Sequence, residues 1–526
     1  MSRSKKALLK TNALDRAIGI VFPERALSRA KARTTLEFMA GGVTRTGGGK
    51  KGALGDWLVK RLSRHTEEAE RVTIVDRSAD LVANNPHAAS IVDSTALSTV
   101  GGAGMVPQSK IPHKRLGITE EQAAEVAEQA EWAFYRWARQ ADAEGIDHFS
   151  DIQYITVRNM MGIGEFVNLP VMINDPSRFL SLAIQVIDPL RLRTPSDLRG
   201  DKAVREGIRF GSHGERQQYY VANPDDGRLR IGITSKDFAV IPARQGHRPG
   251  IFHGFHRKDA EQVRGLSILA PVIKLFKDYD DYMDYEIIGA ILASSFPVFI
   301  ETPEGEDPSD HTGNTTLEGD QRIKEYAPGQ VIYGSIDQKP HILGNNNRPG
   351  NSFPVFVETL LRAMGAACGL PYEVVAKDFS KTNYSSARAA MLEAWRLIQL
   401  YQVWLVNHFN QPVWEMVFEE AWLKGYIKLP SGAPDFYMAR ELWTNTTWTP
   451  PKRGHIDPVK EVASGKEAII SNMRTLADWY AEQGKDWQEE LRQIGSERKL
   501  MKDLGLTMSD LPGFDLATIA SQPDQP

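Results

Sequence analysis

Three stretches hold residue types that could do chemistry. The first is acidic. "KDYDDYMDYE", inside residues 266–295, sets Asp278, Asp280, Asp281, Asp284 and Glu286 on what reads as one helix. Asp278 with Asp281, and Asp280 with Asp284, share faces at i,i+3 and i,i+4, as carboxylates do when they bind a divalent metal or exchange protons. No histidine adjoins them and no ligand spacing accompanies them, so a solvated acidic face is the preferred reading. The second stretch, "HRPGIFHGFHRKDAE", brings His247, His253 and His256 near Asp259. Two histidines leave a zinc site short of ligands, and on an alternating strand His253 and His256 point to opposite faces. They read as structural histidines. The third, "GGGKKG" at 47–52, suggests a phosphate-binding loop. That motif needs Gly-Lys followed by Ser or Thr, after a strand and opening a helix; here Lys51 follows Lys50 and no strand precedes. A linker is the better reading.

The elements that would position such groups come in blocks. Helical patterning covers about 65–100 and 118–142, the latter opened by Thr119 with Gln122 three residues on, an N-terminal capping signal. From 163 to 255, short β-type runs ("GEFVNLPVMI", "LSLAIQVI", "GIRFG", "RQQYYVA", "DFAVIPA") are parted by turn residues. A long helix then spans 266–295, with Pro271 allowed in its first turn. A second β-type insert fills 296–350. Helix resumes at "FPVFVETLLRAMGAACG", breaks across a small polar loop carrying Lys381, and returns from 385 to about 410 with Met391, Trp395, Ile398, Leu405 and Phe409 as a core stripe. Trp395→Asp is expected to prevent folding by burying a charge. Pro412 starts another helix, and further helices run from about 458 to 503.

Composition narrows the class. The chain has 526 residues, too many for one ordinary core. Its 41% hydrophobic and 25% charged content is that of a soluble globular protein. A net charge of −4 argues against broad gripping of nucleic acid. The one cysteine, Cys368, excludes disulfide frameworks and cysteine-based zinc sites and fits a reducing compartment; in "LLRAMGAACGL" it reads as a buried small hydrophobe. The longest apolar stretch, "IIGAILASSFPVFI", falls short of a membrane span. No catalytic constellation emerges, and no cofactor or metal is expected.

Several stretches, taken in order, resemble the lambda-type portal proteins of tailed bacteriophages: "NNPHAASIVDSTALSTVGGAG" (84–104), "GEFVNLPVMI" (164–173), "IQVIDPLRL" (184–192), "QVRGLSILAPVI" (262–273), "NYSSARAAMLEAWR" (383–396), "QPVWEMVFEEAWLKGYI" (411–427) and "HIDPVKEV" (455–462). The resemblance implies an α+β portal fold with an α/β wing, a long-helix stem, a small β-containing clip and a helical C-terminal crown. It assigns the wing to 61–260, stem helices to 261–295 and 351–373 and the clip to 296–350. A tunnel loop follows at 374–384, long helices returning to the wing at 385–425 and the crown at 426–505. The ends lie outside the resemblance: by composition 1–60 reads as a basic flexible N-terminal arm and 506–526 as a disordered tail. The resemblance further implies a homo-oligomeric ring, usually of twelve subunits, at one capsid vertex. The ring is a non-enzymatic channel for DNA packaging and genome ejection, located in the virion and, during assembly, in the host cytoplasm. Implied partners are double-stranded DNA without sequence preference, terminase, the major capsid or scaffold protein and a head-tail adaptor, with no membrane.

On that basis Ser380, Lys381, Thr382 and Asn383 are expected to face passing DNA. Glu301, Glu304, Glu306, Asp307 and Asp310 would dock partners at the clip, and Asp278, Asp281 and Asp284 would give the stem an acidic face that repels phosphates. Without the resemblance Lys381 reads as an ordinary surface lysine, the clip acids as an exposed loop and Asn383 as a helix N-cap. The competing readings are a metal-dependent nuclease or hydrolase using the acids of 266–295, and a monomeric binding protein.

Overall fold

The computed structural model describes residues 22–25, 27–29, 64–224, 234–294, 298–302, 317–318, 321–322, 331–335, 350, 352–380, 384–451, 458–482 and 487–506. The chain divides into residues 1–67 and 68–526. In the first unit Arg25 lies over the Phe22 ring; apart from 22–25 and 27–29 the expected basic arm is outside the described residues, as is the tail from 507 on. The fold is mixed helix and strand, as expected.

Helix ends are set by local chemistry. Asn85 caps Pro86–Val100, accepting the N–H groups of His87 and Ala88 at 3.0 Å, while Pro86 takes the position where a missing N–H is harmless. Thr119 and Gln122 form the expected reciprocal capping box on Glu120–Ala138. Phe149–Gly162 was not foreseen; His148 and Asp151 cap it in the same reciprocal way, and the histidine hid a signal normally sought in Ser or Thr.

All five β-type runs of 163–255 are strands. Phe166–Met172 is the centre of an antiparallel three-stranded sheet, flanked by Leu182–Ile187 and Phe252–Gly254. Val204–Arg205, Ile208–Phe210, Arg216–Ala222 and Phe238–Pro242 form an antiparallel meander. A further pair, Val106–Ser109 with Thr446–Thr449, joins distant parts of the chain. Neither strand was anticipated, because each is short and its partner lies more than three hundred residues away. Val298–Thr302 and Val331–Ser335 pair in parallel within the second insert.

The main core is aromatic. Phe409 meets Phe149, Phe166 and Phe252 with ring centroids 5.3–5.8 Å apart, and Phe134 joins Phe149 to Trp414. Each such fully buried ring contributes about 2–3 kcal/mol relative to exposure.

Some expectations are corrected. The helix expected from 266 begins at Ile273, after a 3₁₀ turn Ala270–Val272; Pro271 disfavours α-geometry at Ala270, so the run enters through the tighter turn. Pro412 does not start a separate helix. Tyr384–Leu405 passes through a π turn, Val406–Asn410, directly into Gln411–Leu423, and the wider turn accommodates the ring and missing N–H of Pro412. Trp395 and Met391 are only half-buried. The stripe that enters the core is Ala394, Ile398, Tyr401, Leu405 and Phe409, which removes the ground for expecting Trp395→Asp to prevent folding.

Candidate functional site

The loop before Tyr384–Leu405 is mounted on a tied base. Phe353–Cys368 ends at left-handed Gly369, and a short helix, Tyr372–Ala376, follows. The range 374–384 therefore opens in helix and not in loop. Ser90 Oγ donates to the Val374 carbonyl at 3.2 Å, and Lys377 Nζ to Ser94 Oγ at 2.5 Å. His87 lies 3.5 Å from the Val375 carbonyl through Nδ1 and 3.2 Å from Tyr279 Oη through Nε2. The base is thus fixed to Pro86–Val100 and, through His87, to Ile273–Ser294. Lys377 turns left-handed (φ 56°) and ends the short helix. Asp378 then accepts both the Ser380 N–H at 2.9 Å and its Oγ–H at 2.6 Å, a local turn that closes the described part of the loop. Lys381, Thr382 and Asn383 lie outside the described residues.

The acids of the first long helix separate into two groups. Asp278 and Asp281 pair with Lys274 and Lys277 one turn earlier, exposed pairs that solvent screens. Asp284 instead lines a cleft of about 340 Å³ with Asp80, Asn84, Asn85 and Asp280. Burial, together with neighbouring Asp284 and Asp281, raises the Asp280 carboxyl against the opposing hydrogen bond from Asn85. Among the described residues no group of three or more His, Cys, Asp or Glu side chains is placed to hold a metal ion. Of the clip acids, Glu301 stands on Val298–Thr302 opposite Gly334; Glu304, Glu306, Asp307 and Asp310 are outside the described residues. Cys368 is buried, its thiol pushed up to about 12 by burial.

Sequence reasoning missed an ionic frame under the sheets. Glu165 receives Arg264 through Nε at 2.7 and 2.9 Å and through Nη2, the Gly265 N–H at 3.2 Å, and His253 Nε2 at 3.0 Å. Arg264 also reaches the carbonyls of Leu192, Glu206 and Pro189, and Arg71 bridges Glu206 to Glu165. Burial pushes the Glu165 carboxyl up, but Arg264 and His253 together outweigh it and hold it well below the usual range. Burial takes His253 down to about 4 against its bond to Glu165. A neutral ring donating from Nε2 to Glu165 and accepting at Nδ1 from Arg216, 3.2 Å away, satisfies both nitrogens. Gly164 (φ 111°) and Gly265 let the two segments touch; a Cβ on Gly265 would stand 1.9 Å from the Gly164 carbonyl oxygen. "GEF" and "VRG", sequence fragments a hundred residues apart, are one structural unit.

A second clamp holds Gln411–Leu423. Glu419 accepts from Arg248 Nε at 2.8 Å, Tyr437 Oη at 2.8 Å and His247 Nε2 at 3.0 Å. Burial opposes ionisation, yet these bonds bring Glu419 down to about 2. Glu420 caps the N–H groups of Ser181 and Leu182 at 2.6 and 2.9 Å. The histidines expected to be structural are so: His253 and His247 hold carboxylates, and His256 packs edge-on against Tyr401.

These frames fix the sheets and the base of the loop. Residues 51–402 match the family described as "Phage portal protein, lambda family", which places the chain in the class of phage portal proteins. The portal protein of Escherichia phage N15 is 26% identical over 454 residues, covering 82% of this chain and 84% of that one. Portal protein B of Escherichia phage lambda is 25% identical over the same shares. A solved chain from the neck of an empty gene transfer agent particle, computed with C6 symmetry, aligns over 77% of this chain and 89% of its own, with TM-score 0.37 and 14% identity. With more than half its length matched, this chain belongs to the lambda family of phage portal proteins. The nuclease reading finds no support.

Proposed function

We propose that copies of the chain close into a ring at one capsid vertex, twelve in the family's usual form, with DNA entering and leaving along its axis. The observation that carries ring closure is the bare apolar surface of two packed helices. Tyr285, Ile287, Ile288 and Ile291 of Ile273–Ser294, and Val355 and Phe356 of Phe353–Cys368, are all exposed, although Tyr282 packs the two helices together through Phe353 and Phe356. Aliphatic residues at helical spacing on a solvent face call for a second helix, and a head-to-tail interface that closes yields a ring.

In this reading 61–260 is the wing, 261–295 and 351–373 the stem and 296–350 the clip that meets terminase and then the adaptor; 426–505 is the crown. The tied base of the tunnel loop supports a role for Lys381. One lysine per subunit makes a circle of cations that touches phosphates without reading bases. Lys381→Ala is expected to leave rings intact while changing packaging or DNA retention. Rings with unchanged packaging and retention would refute the loop's role and leave the ring untouched.

A further inference from the structure

One exposed patch has a chemistry unlike the aliphatic helix faces. Trp132 of Glu120–Ala138 and Tyr426, just beyond Gln411–Leu423, are exposed over 49% and 41% of their surfaces. They stand on the buried ring of Phe179, at centroid distances of 5.5 and 4.5 Å, and 6.4 Å from each other. Arg136, one turn after Trp132, lays its guanidinium over Phe179 at 4.7 Å and over Trp132 at 5.4 Å. The floor is locked: Glu420 caps the N–H groups that follow Phe179, and Lys424 bonds the Phe179 carbonyl and pairs with Glu420. Three segments thus converge on a rigid group of Trp, Tyr and Arg, the residue types that dominate binding hot spots.

We propose that this patch is a docking site for a short peptide segment of another protein, its aromatic or large aliphatic anchor seated between Trp132 and Tyr426 and a carboxylate meeting Arg136. Among the described residues Arg136 has no carboxylate partner, and stacking on two rings leaves its N–H edge for a planar acceptor. Charge along the helix selects the kind of occupant. Its C-terminal end carries Arg136 and Arg139, whereas Glu121, Glu125 and Glu128 lie exposed toward the N-terminus. A phosphodiester strand, charged at every step, would run onto those acids; a peptide places one carboxylate at Arg136 and stays clear of them. The inference is independent of the tunnel loop, and in a ring it requires this patch to lie outside the interface between subunits.

The test measures fluorescence anisotropy of labelled peptides against the full chain in whatever assembled form it purifies. The probes are a short peptide with one tryptophan between aspartates, its lysine counterpart, and a short oligothymidylate. Saturable binding of the aspartate peptide is expected, with the lysine peptide clearly weaker and Trp132→Ala and Arg136→Glu each weakening the aspartate peptide about tenfold or more. Both residues are at the surface, and Tyr426→Ala serves where either variant misfolds. Three results would overturn the proposal: no saturable binding of the aspartate peptide, equal binding by folded variants, or tighter oligothymidylate binding that Trp132→Ala removes.

Discussion

Replacing Glu165 by Gln tests the ionic frame that joins the two glycine-flanked fragments, "GEF" and "VRG". Glu165 and Arg264 side chains are each 1% exposed, so the variant leaves a guanidinium buried without its counter-charge. Breaking one partner of such a pair costs about 3–5 kcal/mol. Gln is nearly isosteric and keeps one acceptor oxygen, and Arg264 retains three carbonyl acceptors. The lower end, about 3 kcal/mol, is therefore expected, a change of roughly a hundredfold in the folding equilibrium. Urea denaturation followed by tryptophan fluorescence and circular dichroism reads it, at one fixed protein concentration because assembly contributes to apparent stability. Removing the charge from both sides, in Glu165→Gln with Arg264→Met, should recover about 1 kcal/mol or more relative to the sum of the single effects. A single variant within about 0.5 kcal/mol of the parent, or strictly additive effects, would refute the reasoning.

Three other expectations follow from the same geometry. His253 is held down to about 4, so as pH falls below the ordinary histidine value the unfolded chain takes up a proton that the folded one refuses. Its contribution, about 3 kcal/mol, is present at neutral pH, declines as pH drops from about 6.5, and is gone below about 4. Urea unfolding at about pH 7 and about pH 5 should show about half of that loss, and His253→Gln should shrink it; an unaltered pH gradient in the variant would contradict the assignment. Ile288→Asp combined with Ile291→Asp should abolish ring formation while the subunit stays folded, read by light scattering and circular dichroism; intact rings would exclude this face as the interface. Cys368, buried and pushed up to about 12, should resist a thiol reagent at neutral pH and react fully in urea; prompt labelling of the native chain would contradict its burial.

The fold was legible where periodicity is strong and local. The five strands of 163–255, the Thr119 cap and the long helices followed from pattern alone. What escaped depended on partners far away in sequence. Val106–Ser109 is a strand only because Thr446–Thr449 lies beside it, and Phe149–Gly162 was hidden by a histidine cap. The site was legible only in outline. A polar loop heading a long helix could be seen, but not the base that ties it, because Ser90, His87 and Ser94 carry no linear signal for Val374, Val375 and Lys377. The Glu165–Arg264 frame was present in the fragments that carried the family resemblance, yet single-sequence patterning gives no reason to pair two charges a hundred residues apart. "GEF" and "VRG" do contain the one usable clue, a glycine beside each charge where the two segments must touch.

Electron microscopy of the purified chain, with particles classified end-on, tests the central claim most directly. The account predicts closed rings with a central hole wide enough to pass duplex DNA. Uniform single subunits, persisting across a range of salt and protein concentrations, would contradict it.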